Sequence, residues 1–468
     1  SSLEWLDIHN NNITELGNYY DVTGQLKINY LDVSNNKIRK IKSDLIPKNI
    51  TTINLSNNMI DDIPSGTFLN KKQIRKIFLA GNMIKKLQIT SLIVSKFDVL
   101  REPPEIYLAG NPLYCDCHME WLRNINELSE QRRQLPKLVD MNKIKCTMEH
   151  NHEQKTHDDV SIKAFNELNS NDFLCKYENH CHTLCQCCQN DEEEDDDDDD
   201  GEVVECKCKM TCPDQCSCYH DNTWNKNIVD CGNANLQSFP NRIPIDVTTL
   251  YLDGNNLTHL SHHQFVGKNR LEVLYLNDSN IHTIANGTFD ELRNLRILHL
   301  NRNQIKRLHG NEFKELSMLN ELHLDHNRLT HIGDGAFNHM KFLRIIDLSD
   351  NRLVDFSPIQ QLATSSRSGM LSQVYLDGDN KWNCDCKSLV QLIEWIKNRS
   401  NNFNVQRMLC NDNRIVGDVL NNCHLIMNTN LFNGDSYNGE ATPPSSLNSN
   451  QQNTPIMQFN NGNGGRYP

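Results

Sequence analysis

Four segments of one design follow each other every 24 residues in this chain: Leu271-x-x-Leu274-x-Leu276, Leu295-x-x-Leu298-x-Leu300, Leu319-x-x-Leu322-x-Leu324 and Leu343-x-x-Ile346-x-Leu348. Val247-x-x-Leu250-x-Leu252 opens the series, and Leu371-x-x-Val374-x-Leu376 closes it after a longer interval. Three residues past the third apolar position stands Asn255, Asn303, Asn327 or Asn351; Ser279 and Asp379 take that place in the other two repeats. Phe265, Phe289, Phe313 and Phe337 recur in step. A looser form fills the first hundred residues, on Leu3-x-x-Leu6-x-Ile8, Ile28-x-x-Leu31-x-Val33, Ile50-x-x-Ile53-x-Leu55, Ile74-x-x-Ile77-x-Leu79 and Ile106-x-Leu108. Its asparagines are Asn11, Asn36, Asn58, Asn82 and Asn111.

Alternating apolar residues make a short strand, and one strand per repeat stacks into a parallel sheet. An asparagine where each coil bends satisfies buried backbone groups that an apolar residue leaves unpaired. The phenylalanine fills the far side of the coil. Helical periodicity does not keep the same Asn and Phe in register over a hundred residues. The expected fold is therefore α/β, a leucine-rich-repeat solenoid with its parallel sheet on the concave face, in two tandem blocks.

Solenoid ends expose core and need caps. Cys115-Asp116-Cys117, Trp121, Cys146 and Cys175 form one C-terminal cap, and Cys384-Asp385-Cys386, Trp395, Cys410 and Cys423 form another. After each Cys-x-Cys a helix is expected, with Leu122, Ile125 and Leu128 or Leu389, Leu392 and Ile396 on its inner face. Four cysteines in a cap allow three pairings. Cys212, Cys216, Cys218 and Cys231 lead directly into Val247 and read as an N-terminal cap in mid-chain. The organisation is then repeats at 1–111, a cap at 112–175, a cysteine cluster at 176–211, an N-terminal cap at 212–244, repeats at 245–380, a cap at 381–425 and a flexible tail at 426–468. No cap precedes Leu3, so the chain is expected to be a fragment.

Eighteen cysteines, an even number, point to an oxidising compartment. Seven glycosylation sequons agree, at Asn12, Asn49, Asn54, Asn256, Asn277, Asn286 and Asn398. The net charge of −13 is mostly local: ten consecutive acids, Asp191 to Asp200, leave −3 over the other 458 residues. Such a chain offers no basic field for nucleic acid. Aromatics are only 7%, which argues against a large buried active site. No apolar run approaches the roughly 18 residues needed to cross a bilayer.

The stretch from Cys175-Lys176-Tyr177-Glu178-Asn179-His180-Cys181-His182 through Cys185, Cys187 and Cys188, set between tandem solenoids, resembles the ectodomain of arthropod Toll receptors. Cys208-Lys209-Met210-Thr211-Cys212-Pro213-Asp214-Gln215-Cys216-Ser217-Cys218-Tyr219-His220-Asp221, with Trp224-Asn225, resembles the long-ectodomain branch of that family. The resemblance covers residues 1 to about 425, in the membrane-proximal half of such an ectodomain, and the ten acids look like a local insertion. It implies a single-pass plasma-membrane receptor with this region outside the cell. Such a receptor binds a dimeric cystine-knot cytokine of the Spätzle type or another protein ligand, associates through its stalks and signals through a cytoplasmic TIR domain. Neither that domain nor a membrane span lies in these 468 residues. The resemblance also selects the cap pairings Cys115–Cys146, Cys117–Cys175, Cys384–Cys410 and Cys386–Cys423. For the N-terminal cap the expected pairs are Cys212–Cys218 and Cys216–Cys231.

No nucleophile motif, zincin helix or phosphate loop is present, so neither enzyme activity nor a cofactor is expected. His180-Cys181-His182 with Cys185, Cys187 and Cys188 has zinc-ligand chemistry, but in an oxidising compartment those thiols are expected in disulfides. Cys181, Cys185, Cys187, Cys188, Cys206 and Cys208 have fifteen possible pairings. The acidic run lacks the spaced ligands and glycine of a calcium loop and reads as a solvated insertion. His299 and His323 occupy equivalent positions in adjacent repeats, with His326 beyond, and form a candidate pH-sensitive surface. Glycans at Asn54 and Asn277 would obstruct the concave faces, which favours partners on the lateral surfaces or on further repeats expected on the N-terminal side. The competing reading is a secreted or cell-surface repeat glycoprotein of the adhesion or guidance kind. Residues that contact a ligand are not identifiable.

Overall fold

The computed structural model describes residues 3–16, 27–98, 100–148, 161–181, 209–359, 371–386 and 405–430, with 362 and 389. Its architecture is that of leucine-rich-repeat solenoids with disulfide-bonded caps. Three-residue strands at Trp5–Asp7, Tyr30–Asp32, Thr52–Asn54, Lys76–Phe78 and Glu105–Tyr107 pair in parallel, and Lys137–Leu138 of the cap extends the sheet. In the second block the parallel strands are Asn227–Asp230, Thr249–Tyr251, Val273–Tyr275, Ile297–His299, Glu321–His323, Ile345–Asp347 and Gln373–Tyr375. In the repeat strands the middle residue is buried and its neighbours are more open, as a pleat with one wet face requires.

The asparagines form a ladder. Asn327 Oδ1 accepts the Ile305 amide at 3.1 Å, and its Nδ2 donates to the carbonyls of Leu300 at 2.9 Å and Leu324 at 3.0 Å. The geometry repeats at Asn36, Asn58 and Asn82, and again at Asn255, Asn303 and Asn351. Ser279 is too short to reach forward. Its Oγ donates to Leu252 O at 2.8 Å, and the Leu257 amide turns to the Ser279 carbonyl instead. The last rung differs from expectation: the ladder side chain is Asn380, not Asp379. Asn380 Oδ1 accepts the Leu353 amide at 2.9 Å, and its Nδ2 reaches Leu348 O and Leu376 O. One extra residue after Leu376 moves the rung without breaking it.

On the opposite wall Phe265, Phe289 and Phe313 stack at centroid spacings of 5.8 Å, with Phe239 edge-on at the start. Phe337 is buried next in line, and Phe356 stacks on Trp382 at 4.3 Å to close the series. Trp382 Nε1 donates to Leu376 O, so the cap's indole seals the last coil without stranding its N–H.

In the first cap Cys115 bonds Cys146 and Cys117 bonds Cys175. The expected helix there starts as a 3-10 helix, Cys117–Asn124, and becomes α-helical only over Ile125–Arg132. Leu122 and Ile125 are fully buried beneath it. Cys212 bonds Cys218 and Cys216 bonds Cys231 in the middle cap, and Cys384 bonds Cys410 in the last. Cys386 and Cys423 are also disulfide-bonded. Leu392, Trp395, Ile396, the acidic run, and Cys185, Cys187, Cys188, Cys206 and Cys208 lie outside the described residues.

The two blocks are knitted together. Cys175–Tyr177, at the end of the first cap, pairs antiparallel with Ser217–His220 of the middle cap, which pairs with Asn227–Asp230. Asn179–Cys181 pairs with Lys209–Thr211. The second solenoid's sheet therefore begins in the first solenoid's cap.

Candidate functional site

Two places gather polar and aromatic side chains beyond what the repeats need. One is the joint between the blocks. His220 stacks on Trp224 at 3.6 Å, and His180 lies against the same indole at 4.5 Å. Tyr177 meets His180 edge-on at 4.8 Å, and its hydroxyl donates to Asn227 Oδ1 at 2.6 Å. Asn227 Nδ2 donates to Asp246 Oδ1, and Asp246 Oδ2 lies 3.0 Å from His180 Nε2. Both members of that pair are about nineteen-twentieths buried, with side chains 5% and 6% exposed. Burial raises the Tyr177 phenol far above its usual range and lowers the His220 imidazole. This network fastens the cysteine-cluster hairpin to the start of the second solenoid. Its chemistry is that of a structural clip.

The other place is the concave face of the second block. The residue between the second and third apolar positions of each repeat projects there, and register puts those residues in one column. Tyr251, Tyr275, His299 and His323 stack successively at 4.5, 4.5 and 4.4 Å with nearly parallel rings. Asp347 comes next in register, then Tyr375. Desolvation, then the neighbouring His323, push the His299 imidazole down to about 4. Desolvation holds the Asp347 carboxyl above the usual range, and Asp325 adds to the effect. His326 stands out of the stack: Asp325 Oδ2 lies 2.9 Å from its Nδ1 and Asp350 Oδ2 3.3 Å from its Nε2. The histidines were visible in the sequence. Tyr251, Tyr275 and Asp347 share their column and could have been found by reading the same position in every repeat.

The first block's concave face carries a smaller version, with Trp5 stacked on Tyr30 at 3.5 Å and Phe78 on Tyr107 at 4.5 Å. Asn54 lies on this face and is tied down, its Nδ2 donating to Asp32 Oδ2 and its Oδ1 accepting the Ser56 amide. Asn277 is half-buried on the second concave face, while Asn12, Asn49 and Asn286 are exposed. Asn256 is bonded to Gln237 and Asn280, and Asn398 lies outside the described residues.

The Leucine rich repeat family model matches residues 26–84, 245–305, 269–329 and 317–363. Toll-like receptor 7 of Drosophila melanogaster is 39% identical over 273 residues, 58% of this chain and 17% of that protein. The chain is similar to leucine-rich repeats over the matched residues and to a segment of a Toll-like receptor. A second relative, leucine-rich repeat and fibronectin type-III domain-containing protein 4 of Rattus norvegicus, is 33% identical over 99 residues, 20% of this chain and 16% of that protein. The chain thus spans less than a fifth of the length of these curated relatives. Among solved structures, the Toll–Spatzle complex of Drosophila aligns over 89% of this chain and 54% of its own, at 15% identity and a TM-score of 0.41. Among the described residues, no helix is long and apolar enough to cross a membrane.

Proposed function

We propose that this chain is the ligand-binding and associating region of a single-pass Toll-type receptor, whose ligand is a protein of the dimeric cystine-knot class. The observation that supports this reading most is the 273-residue match to Toll-like receptor 7. In this reading two stalks brought together by one dimeric ligand pass the signal across the membrane as a change in association. The glycan sequons at Asn54 and Asn277 on the concave faces favour docking of the protein ligand along lateral surfaces.

The test uses the intact receptor on cells. A dimeric cystine-knot protein added outside should raise the fraction of paired receptors, read by fluorescence resonance energy transfer between C-terminal tags. An unchanged fraction across the cystine-knot ligands of the source organism removes the ligand class. A second reading, a repeat glycoprotein of adhesion, has one observation in its favour, the match to a fibronectin type-III domain-containing relative. It predicts aggregation of cells that carry the intact protein and no ligand-driven pairing.

A further inference from the structure

Among the described residues, three clusters of histidine, cysteine and acidic side chains converge closely enough to hold a cation. Two of them, Cys117 with Cys175 and His220, and Asp116 with His118 and Cys175, are built round the Cys117–Cys175 disulfide. A bonded sulfur is no thiolate, and the thiolate is the metal ligand, so those two carry nothing. The third contains no cysteine: one ligand atom each from His323, Asp325 and Asp347 lies within 4.8 Å of the others.

The repeat itself makes this cluster. Side chains two apart on a strand face the same way, so His323 and Asp325 both project onto the concave face. His323 is directly in register with Asp347 on the next strand, one strand spacing away. All three are half-buried. Asp347 Oδ1 is held by the Ser349 amide at 3.0 Å and the Ser349 hydroxyl at 2.6 Å, which fixes the carboxylate and leaves Oδ2 for another ligand.

Charge points the same way. Glu321, Asp325, Asp347 and Asp350 crowd this stretch, and the ion pairs that three of them form among the described residues are all with histidine. These are His323 Nε2 to Glu321 at 3.7 Å, His326 Nδ1 to Asp325 at 2.9 Å and His326 Nε2 to Asp350 at 3.3 Å. No lysine or arginine pairs with them among the described residues. Burial and Asp325 both oppose the charge on Asp347, a cost that a divalent cation would reverse.

We propose that His323, Asp325 and Asp347 form a zinc site on the concave face of the second solenoid. One imidazole nitrogen with two carboxylates suits zinc; calcium takes six to eight oxygens and magnesium keeps most of its water. Three protein ligands leave a position open toward the concave hollow, so the bound ion can take a water or a side chain from a partner.

The test is calorimetric titration of the untagged, glycosylated chain with zinc chloride, repeated with calcium chloride. The expected result is saturable uptake of zinc that calcium does not reproduce. His323→Gln or Asp347→Asn should weaken it at least tenfold, and His282→Gln, at an exposed residue two repeats away, should leave it unchanged. Near-ultraviolet circular dichroism confirms that each variant is folded. Cobalt(II) provides a second readout, its visible d–d bands appearing in the parent chain and disappearing in His323→Gln. Absence of saturable zinc uptake overturns the proposal, as does uptake that survives when His323→Gln and Asp347→Asn are combined or that falls equally in His282→Gln.

Discussion

Asn327 holds four backbone groups in two successive coils, accepting from Ile305 and donating to the carbonyls of Leu300, Leu324 and Asp325. Asn327→Ala strands buried polar groups, each costing about 1–3 kcal/mol when left unpaired. The expected loss is about 2–4 kcal/mol in denaturant unfolding, against less than about 1 kcal/mol for Asn256→Ala at a half-buried place outside the ladder. His299 gives a residue-scale pH dependence. Its imidazole is pushed from 6.5 down to about 4 in the folded chain. Between those values the unfolded chain binds a proton that the folded chain does not, so stability falls as pH falls through that window. Thermal unfolding with a chelator present should show a loss on the order of 1 kcal/mol between pH 7.5 and 5, and His299→Gln should flatten it. At pH 5.5 the His299 ring is still neutral, so acid acts there by lowering stability and not through two charged rings repelling each other.

The two walls of the solenoid are energetically unequal. Phe313 is fully buried and stacked on Phe289, whereas Phe78 lies half-open on a concave face against Tyr107. Phe313→Ala should cost about 3–5 kcal/mol and Phe78→Ala about 1 kcal/mol, measured by chemical denaturation. Repeat strands were legible because each Leu, Asn and Phe does the same physical work at a fixed interval. The rung at Asn380 was misplaced because position was read from the leucines, and one inserted residue shifts position without changing chemistry. The strand Cys175–Tyr177 was hidden for another reason. Its partner lies 40 residues further on, across the cysteine cluster, and nothing local in Cys-Lys-Tyr specifies that pairing. The clip of Tyr177, His180, Trp224 and Asp246 was likewise out of reach, since its members come from separate segments. Asp347 escaped because the sequence reading followed histidines down the column and stopped where the residue type changed.

For the whole molecule, the joined sheet implies that the two solenoids depend on each other. His180 and Asp246 are both buried, and the pair bridges the hairpin of the first block's end to the second block's start. Asp246→Ala leaves a buried imidazole without its partner and should cost about 3 kcal/mol or more. Calorimetry should then show the transition of the intact chain separating into two. The broader account, a Toll-type receptor ectodomain, rests on a chain that spans 17% of its Drosophila relative. Sequencing the intact transcript past the codon for Pro468 tests it most directly. The account predicts an apolar stretch of about twenty residues, followed by a cytoplasmic TIR domain. Fibronectin type-III modules there, or a stop codon with no membrane span, would contradict it.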